Sequence, residues 1–277
     1  MQNSFSIFIN TTDSFEDCWI PFFTLFKKYW PAFSGKIYLN TEKKSFQLEG
    51  LNIISVQNEN KVNGKPNWGK SLVTALNFIE EDIILYMQED YFLNNYVNTQ
   101  FIEKAYQLML SNNSIGCIHL TDQATSGPFE EFEESPDFKL ISLFADYRIS
   151  CQAALWRKNI LLKYIRTYES PWQFELIGTK RAKFIYQDTF LSITHELFGI
   201  GKKEIIPYVF TGIVKGRWKS DVVSLFNENK IYVDFSKRGF IENSYVSHFL
   251  LKKKTKDFFF RLISSAEISI KKSTKIR

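Results

Sequence analysis

Two adjacent carboxylates, Glu89 and Asp90, directly follow Ile83–Gln88, a run of strand length that is apolar up to Met87. A run of this kind without polar alternation is typical of a strand buried on both faces in a parallel sheet. Ligands of open α/β sheets bind outside the carboxyl ends of such strands. Two like charges there repel each other, but together they can hold a divalent cation and, through it, a phosphate. The sequence thus predicts a phosphate-binding site here, with two solvated charges as the alternative.

The segments around this strand alternate in the way expected of an α/β domain. Further strands are predicted over Phe5–Asn10, Lys36–Asn40, Leu51–Val56 and Ile115–Leu120, within Ile149–Trp156 and Ile205–Val214, and over Lys230–Phe235. Apolar residues at helical spacing predict helices between Trp19 and Trp30, over Trp68–Ile79 and Thr99–Leu110, and from Lys158 to Tyr168. We therefore predict a mixed, mostly parallel central sheet flanked by helices.

Two further segments have distinct signatures. Ser170 and Pro171 are typical of a helix start, with Ser170 as the cap. The segment Thr121–Asp137 is rich in glutamate, contains Gly127-Pro128 and has little periodicity. We expect it to form a long flexible loop, and loops of this kind often cover a binding site.

The composition excludes several classes of protein. The chain has 277 residues, of which 44% are apolar, and its 46 aromatic residues leave many rings for stacking on sugars or bases. Three distant cysteines without a CxxC spacing argue against a disulfide framework and against a zinc site. The chain start lacks the pattern of a signal peptide, and no window approaches 18 uninterrupted apolar residues. We therefore expect a cytoplasmic protein.

The positive charge is concentrated at the end of the chain. Residues 251–277 contain nine basic and two acidic residues, a net charge of +7, whereas the whole chain carries +5. The body is therefore slightly acidic, which argues against a nucleic-acid partner. A basic cluster at Lys252–Lys256 precedes residues that share one helical face, namely Phe258, Phe259, Leu262, Ile263 and Ala266.

We therefore divide the chain into a domain over residues 1–245 and a basic amphipathic helical tail over residues 246–277. A basic amphipathic helix is typical of attachment to an anionic membrane surface, here the inner face of the cytoplasmic membrane. The alternative is a C-terminal helix that docks on the domain and leaves a frayed basic end.

In their order along the chain, these features resemble the GT-A class of nucleotide-sugar glycosyltransferases. The resemblance is to the bacterial enzymes, related to the inverting family 2 type, that build capsule and lipopolysaccharide glycans. It is carried by the βα opening, the Trp68-Gly69 helix, Glu89-Asp90, Ser150–Trp156, Trp172–Glu175 and Val214–Trp218. It implies a Rossmann-like GT-A fold and an inverting, hexosyltransferase-type transfer to a surface glycan or a lipid-linked glycan.

The resemblance also assigns residues to the donor. Glu89 and Asp90 match the acidic motif that binds a Mn²⁺ or Mg²⁺ ion with the donor diphosphate, but Gln88 stands where that motif has an aspartate. A metal-independent route therefore stays open, in which Lys215 and Arg217 neutralise the diphosphate. Asp13, Asn40 and Trp68 match positions that contact the nucleoside, although turn chemistry and core packing would also account for them.

Catalytic and acceptor-binding residues follow from the same resemblance. Glu175 matches the carboxylate that removes a proton from the acceptor hydroxyl, and Asp188 is the second candidate for this base. The family has Glu-Asp at this point where this chain has Glu175-Leu176, and a carboxylate near a helix start also suits the helix dipole. Gln152, Trp156 and Trp172 lie where acceptor contacts are expected.

Rival functions make different demands on the sequence. A sugar nucleotidyltransferase needs a glycine-rich basic loop after its first strand, and the segment from Asn10 to Phe15 has no glycine. A dinucleotide-dependent dehydrogenase or a methyltransferase needs GxGxxG or a similar early turn, which is absent. A non-enzymatic alternative stays open: a catalytically degenerate GT-A scaffold that binds glycans or a membrane.

Overall fold

The computed structural model describes residues 5–59, 61–62, 65–241 and 254–275. The strands are β1 (Ser6–Asn10), β2 (Lys36–Asn40), β3 (Asn52–Ser55), β4 (Lys61–Val62), β5 (Lys65–Pro66), β6 (Ile83–Gln88), β7 (Ile115–His119), β8 (Phe129–Glu131), β9 (Phe138–Ile141), β10 (Ala154–Arg157), β11 (Thr189–Ile193), β12 (Ile213–Val214) and β13 (Arg217–Trp218). The helices are α1 (Glu16–Tyr29), α2 (Trp68–Phe78), α3 (Thr99–Ser111), α4 (Lys158–Tyr164), α5 (Pro171–Arg181), α6 (Asp221–Glu228) and α7 (Lys254–Lys275).

A sheet in the order β3-β2-β1-β6-β10-β7-β11-β9-β8 forms the centre of the molecule. Strands β1, β2, β3 and β6 are parallel to one another, and β7 is parallel to β11. Strand β10 lies between β6 and β7 and runs antiparallel to both. The fold is therefore α/β with a mixed, mostly parallel sheet flanked by helices, which confirms the predicted fold class.

The sheet is buried on both faces. Ile7, Ile9, Leu85 and Met87 point into one core layer, which packs against α1 and α3. The alternate positions of β1 and β6 point into a second layer against α2, α4 and α5. Because each side of the sheet contacts helices, β6 has no polar face, which explains its uninterrupted apolar sequence.

Local capping begins the predicted helices at the expected residues. Ser170 and Gln173 form a reciprocal capping box at the start of α5, with Pro171 in the first turn. The side chain of Asn67 accepts a hydrogen bond of 2.8 Å from the backbone N–H of Lys70 and caps α2. The residues at these two helix starts are also those that border the candidate site below.

Four predicted segments differ from the structure. Residues 121–137 are not a structureless loop, because β8 forms there and pairs with β9 at the edge of the sheet. Only β12 forms within Ile205–Val214, and no strand forms over Lys230–Phe235. Buried side chains such as Ile205, Ile206 and Ile231 reach the core from irregular backbone, so apolar content misidentified these segments as strands. Helix α4 ends at Tyr164, four residues earlier than predicted.

The tail contains the predicted helix, and α7 docks on the body. Ser264 is fully buried and its hydroxyl donates to the Glu169 carboxylate at 3.0 Å. The Arg166 guanidinium donates to Glu267 at 3.0 Å. Among the described residues, no helix has the length and apolarity needed to span a bilayer. The predicted boundary at residues 245 and 246, together with Lys252 and Lys253, lies outside the described residues.

A fully buried ion pair connects Glu169, just before α5, with Arg181 in the last turn of α5. Arg181, in the last turn, donates to Glu169 at 2.7 Å, and neither side chain is exposed. Arg181 also donates to the backbone carbonyl of Tyr164 at 2.8 Å. The pair holds α5 against α4, and Ser264 of α7 covers it. Removing one member would leave an uncompensated charge in the protein interior.

We therefore expect Arg181→Met to lower the free energy of unfolding by about 3–5 kcal/mol, because it leaves the Glu169 carboxylate buried without its cation. Urea denaturation at neutral pH measures this. The exposed neighbour Lys180 provides the control, since Lys180→Met should change stability by no more than about 0.5 kcal/mol. Equal stabilities for the two variants would contradict the role given to the ion pair.

Candidate functional site

Three parallel strands end at the same edge of the sheet with amide side chains. Asn10 of β1 is paired in register with Asn40 of β2 and with Gln88 of β6. Strand β10 runs the other way and begins at Ala154, so the segment before it, Ser150–Ala153, reaches this same edge. Residues that are far apart in sequence therefore meet at the carboxyl edge, where open α/β sheets bind ligands.

A buried hydrogen-bond network connects the ends of β1 and β2. The Asn40 amide donates to the side-chain oxygen of Asn10 at 2.8 Å, and the Asn10 amide donates to the Tyr86 hydroxyl at 3.1 Å. The Asn40 oxygen in turn accepts from Asn58 at 2.6 Å and from Ser71 at 3.2 Å. Each of these contacts fixes the orientation of an amide, so the edge presents ordered donors and acceptors.

A small cavity of about 80 Å³ opens beside this network. It is lined by Asn10, Thr11, Thr12, Asn40, Glu42, Asn67, Trp68 and Ser71. Trp68 is half-buried and its ring centroid lies 5.4 Å from that of Phe174 of α5. Trp68 thus packs against the core and also forms part of the cavity wall. Ligand pockets commonly enclose about 300–1,000 Å³, so this cavity suits one ring of a ligand.

Asp13 has a positioning role at the rim of this cavity. Its carboxylate accepts hydrogen bonds from the backbone N–H groups of Glu42, Lys43 and Lys44 at 3.0–3.2 Å. The Asp13 N–H in return donates to the Glu42 carboxylate at 3.0 Å. Asp13 therefore holds the loop that follows β2, and its carboxylate oxygens are directed at that backbone.

The acidic pair lies where predicted, directly after β6, and both side chains are buried. An Asp90 oxygen accepts from the Thr211 hydroxyl and, at 3.2 Å, from the backbone N–H of Ile213. The backbone carbonyl of Asp90 accepts from the N–H of Gly212 at 2.9 Å. The segment before β12 therefore wraps around Asp90, and it is separated from Asp90 by more than 100 residues of sequence.

Burial, and the repulsion between the two groups, oppose ionisation. Desolvation raises the pKa of Glu89 well above its ordinary 4.5, and the Asp90 charge raises it further. Desolvation also raises the pKa of Asp90, against the hydrogen bonds from Thr211 and Ile213. A pair that strongly disfavours two negative charges gains most from a bound cation.

The carboxylate oxygens of Glu89 and Asp90 also fit a hard cation such as Mn²⁺ or Mg²⁺, which prefers such oxygens as ligands. Within the part of the chain that the structure describes, however, no group of three or more His, Cys, Asp or Glu side chains could hold a metal. Glu89 and Asp90 could thus supply two protein ligands at most. A cation here would need further oxygens from a ligand, as magnesium ions bound with substrate phosphates do.

Arg238 is the cation that the structure places near this pair, and sequence patterns gave no signal for it. It forms a two-point ion pair with Asp17 of α1, with a distance of 2.7 Å from Nε to the carboxylate. Its guanidinium also lies 4.4 Å from the centre of the Phe15 ring. The Arg238 charge lowers the pKa of both Glu89 and Asp90, against the larger effect of burial.

The predicted cations Lys215 and Arg217 lie on the β12–β13 hairpin. Lys215 and Gly216 have φ angles of 51° and 78°, and together they form its two-residue turn. Lys215 is exposed at the tip, whereas Arg217 is half-buried. The hairpin begins beside Asp90, because Ile213 donates to that carboxylate. The structure thus places the hairpin base at the acidic pair and Lys215 at the far end of the turn.

Glu175 is joined to the end of β6 through the backbone of Cys151. Its carboxylate accepts from the Cys151 N–H at 2.8 Å and from the Ser150 hydroxyl at 3.4 Å. The Cys151 carbonyl accepts from the Tyr91 hydroxyl at 3.0 Å. Tyr91 directly follows the acidic pair, so α5 and β6 meet through one peptide segment.

Burial raises the pKa of Glu175, and the hydrogen bonds from Cys151 and Ser150 oppose this shift. A carboxylate with a raised pKa is a stronger base than a solvated one, which is what general-base chemistry requires. The hydrogen bonds also fix its direction. The geometry is therefore compatible with the predicted role. Glu175 lies beyond the first turn of α5, so the alternative explanation, a favourable interaction with the helix dipole, contributes little.

The three predicted acceptor-binding residues differ in their placement. The Gln152 side chain accepts from the Tyr208 hydroxyl at 2.8 Å, and Tyr208 stacks on Tyr91 with ring centroids 4.7 Å apart. Trp172 is 60% exposed in the first turn of α5. Trp156 is buried in the core against Phe190. The structure corrects the prediction for Trp156, because its ring has no surface for an acceptor.

Asp188 lies at the opposite edge of the sheet. It directly precedes β11, whose amino end is paired with the amino end of β7. Its carboxylate is held by Lys163 at 2.8 Å and by the Tyr164 hydroxyl at 2.7 Å. The structure therefore does not bring Asp188 together with Glu175 or the acidic pair, and this corrects its assignment as the second candidate base.

A larger cavity of about 380 Å³ lies elsewhere, lined by Asn94, Asn95, Glu204, Val209, Asp221, Ser224, Leu225 and Glu228. Three of these eight side chains are carboxylates, and burial raises the pKa of one of them, Glu204. An acidic lining of this kind repels a phosphate-containing ligand. The carboxyl edge also carries carboxylates, but it has the charge of Arg238 beside them and an ordered amide network, so it is the stronger candidate for such a ligand.

No family model and no curated protein matches the sequence. Among solved structures, residues 1–349 of TarS from S. aureus match with a TM-score of 0.42 and 15% identity, over 70% of this chain and 58% of the chain in that structure. A structure described as a mycobacterial protein matches with a TM-score of 0.43 and 10% identity, over 82% of this chain and 75% of that one.

A third match is glucosyl-3-phosphoglycerate synthase from Mycobacterium tuberculosis in complex with Mn²⁺ and UDP-glucose, with a TM-score of 0.29 and 13% identity, over 42% of each chain. The matches include GT-A glycosyltransferases, the class that the sequence resembles. The chain spans little more than half of the TarS structure. All three similarities are distant, and the function is therefore argued below from this chain's own residues.

We expect Glu89→Gln to stabilise the protein at pH 7, because burial raises the pKa of Glu89 and an uncharged amide avoids the cost of its buried charge. The raised pKa means that charging Glu89 costs stability as the pH rises above 4.5. The difference from wild type should therefore vanish below that pH.

Urea denaturation from about pH 3 to about pH 8, a range that spans the ordinary carboxyl pKa, measures this difference. Glu49 is exposed, so Glu49→Gln is the control and should shift stability little at either limit. A Glu89→Gln variant less stable than wild type at pH 7 would show that the Glu89 charge is compensated in the folded protein.

Proposed function

We propose that this chain is a GT-A glycosyltransferase that transfers a sugar from a nucleotide-sugar to a glycan acceptor. The observation that carries the proposal is the convergence of three features at one sheet edge. They are the amide-lined cavity at Asn10 and Asn40, the buried pair Glu89 and Asp90, and Glu175, which is joined to this edge through Cys151. Nucleotide binding, diphosphate binding and general-base chemistry need these three kinds of site.

The donor would lie along the carboxyl edge. Its nucleoside would enter the cavity beside Asn10, Asn40 and Trp68, where ordered amides can pair with a base or ribose. Its diphosphate would lie towards the acidic pair and Arg238. A guanidinium is the side chain that pairs best with phosphate oxygens, because it donates two parallel hydrogen bonds. Lys215 and Arg217 are additional cations that the β12–β13 hairpin could bring to the same group.

Glu89 and Asp90 are the residues that would hold a Mn²⁺ or Mg²⁺ ion, together with the donor phosphates. Such an ion would supply charge neutralisation of the departing diphosphate. A metal-independent variant of the proposal assigns this neutralisation to cationic side chains instead, namely Lys215 and Arg217 together with Arg238. Gln88 in place of the family's aspartate favours this variant.

Glu175 would act as the base. Its carboxylate would remove the proton from the acceptor hydroxyl while the hydroxyl oxygen forms a bond to the anomeric carbon. The bond from that carbon to the diphosphate oxygen breaks, and the diphosphate leaves with the electron pair, so the anomeric configuration inverts. Trp172, exposed at the start of α5, and Gln152 would contact the acceptor.

The proposed acceptor is a growing surface glycan (capsule, O-antigen or lipopolysaccharide), free or carried on a lipid, and the proposed donor group is a hexose. These assignments rest on the sequence resemblance. A cytoplasmic location at the inner face of the membrane would bring the enzyme to such an acceptor, and the basic charge of residues 251–277 supports it. The alternative, a degenerate scaffold that binds glycans without transfer, is favoured by Gln88 at the acidic motif.

We expect Glu175→Gln to lower the rate of sugar transfer by about 10²–10⁴-fold while donor binding is retained, because an amide cannot accept the proton. In wild type, kcat/KM should rise with pH through the pKa of Glu175, which burial places above 4.5. Glu175→Gln should abolish this rise. Transfer of radiolabelled sugar, or donor hydrolysis when no acceptor is known, measures the rate.

The control is Glu196→Gln, since Glu196 is exposed on a different segment, and its activity should equal that of wild type. A Glu175→Gln variant that folds and transfers sugar at the normal rate would show that another group is the base. A wild-type protein that binds donor but neither transfers nor hydrolyses it would support the degenerate scaffold.

A further inference from the structure

Helix α7 presents its polarity in the reverse of the usual order. A surface helix ordinarily packs its apolar side against the protein and exposes its polar side. Within residues 262–273, whose side chains the structure describes, the docked side consists of Ser264, Glu267 and Lys271 around one apolar residue, Ile268. The other apolar residues of this stretch lie on the exposed side, so they contribute little to its docking.

The exposed side forms a continuous apolar stripe. Leu262, Ile263, Ala266 and Ile270 are spaced so that they share one side of a helix with 3.6 residues per turn. Leu262 is 51% exposed, Ile263 39% and Ile270 65%, and all three lie within nine residues of α7. Scattered exposed apolar residues are ordinary on protein surfaces. A continuous apolar stripe along one helix, by contrast, marks a surface that binds a membrane or another protein.

The docking of α7 is specific, which fixes the direction of this stripe. Ser264 is buried against the Glu169–Arg181 ion pair, and Glu267 binds Arg166. Lys271 also donates to the Tyr186 hydroxyl at 3.2 Å. Rotating the helix to bury the stripe would break all of these contacts. The apolar side therefore faces away from the body while the polar side remains bound to it.

Charge decides between two occupants of the stripe. A second copy of this chain would bring two segments of net charge +7 together, and like charges at such an interface repel. An anionic bilayer attracts the same charges. We infer that α7 is a membrane-docking helix that lies on an anionic phospholipid surface through the stripe Leu262–Ile263–Ala266–Ile270, while its polar side stays on the body.

This inference deepens the membrane location in the proposed function by assigning the contact surface. It also separates two arrangements of a basic tail. A free tail would bind the bilayer independently of the body, whereas a docked α7 holds the body, including α5, in one orientation towards the lipid. Helix α5 carries Glu175 and packs on α7. A bilayer bound to the apolar stripe of α7 would therefore hold a lipid-linked acceptor in a fixed geometry relative to Glu175.

Vesicle flotation of the full chain tests the surface. Vesicles of phosphatidylcholine alone are compared with equimolar phosphatidylcholine and phosphatidylglycerol, without donor. We expect wild type to float with the anionic vesicles only. Leu262→Gln with Ile263→Gln should weaken this binding by about tenfold or more, since two half-exposed side chains lose their apolar contact.

The matched control is Ile20→Gln with Leu110→Gln, one isoleucine and one leucine that are 50% and 48% exposed on α1 and α3. This control should bind vesicles within about twofold of wild type. Wild type that does not float with anionic vesicles, or equal losses in both double variants, would overturn the inference. A dimer in light scattering that Leu262→Gln with Ile263→Gln dissociates would assign the stripe to a second copy instead.

A measurement of donor binding separates the test of this membrane surface from the test of the proposed function. Nucleotide-sugar affinity in solution should be the same in wild type and in Leu262→Gln with Ile263→Gln, because the stripe lies outside the donor site. Loss of flotation with retained donor binding supports the assigned surface. Absence of donor binding in wild type with normal flotation would contradict the glycosyltransferase proposal and leave the membrane surface standing.

Discussion

The burial of two adjacent carboxylates is the constraint on which the candidate site depends. Glu89 and Asp90 follow a strand that is buried up to Met87, and both side chains are themselves buried away from water. The protein offsets part of this cost through Thr211 and the N–H of Ile213 at Asp90, and through the nearby charge of Arg238. The offset is incomplete, since both pKa values remain raised, and this is the property that favours a cationic or cation-bound ligand.

One antiparallel strand brings the remaining chemistry to this edge. Because β10 runs against β6, the segment before it ends beside the acidic pair, and Cys151 can bind Tyr91 and Glu175 with its carbonyl and its N–H. At its other end, α5 is held by the Arg181–Glu169 ion pair and by α7. The position of Glu175 is therefore set both by the sheet edge and by the docked tail helix.

Local patterns predicted the elements well and their long-range contacts poorly. Strand β6, the pair Glu89 and Asp90, and the helix start at Ser170 follow from burial, charge and capping within a few residues. Arg238 escaped prediction because it reaches the site only through the fold. Trp156 and Asp188 were misassigned since sequence order does not show which edge or face a residue occupies. The reversed polarity of α7 depends on Ser264 and Glu267 finding partners on the body, which periodicity cannot reveal.

The most direct test of the account is binding of nucleotide-sugars at the carboxyl edge. Thermal unfolding of wild type and of Arg238→Met would be measured with UDP-, GDP-, CMP- and dTDP-sugars, each with and without Mn²⁺. A ligand that binds only the folded state raises the unfolding temperature. The account predicts a rise with one nucleotide class, and a smaller rise in Arg238→Met. No rise in folded wild type with any donor, with or without Mn²⁺, would contradict it.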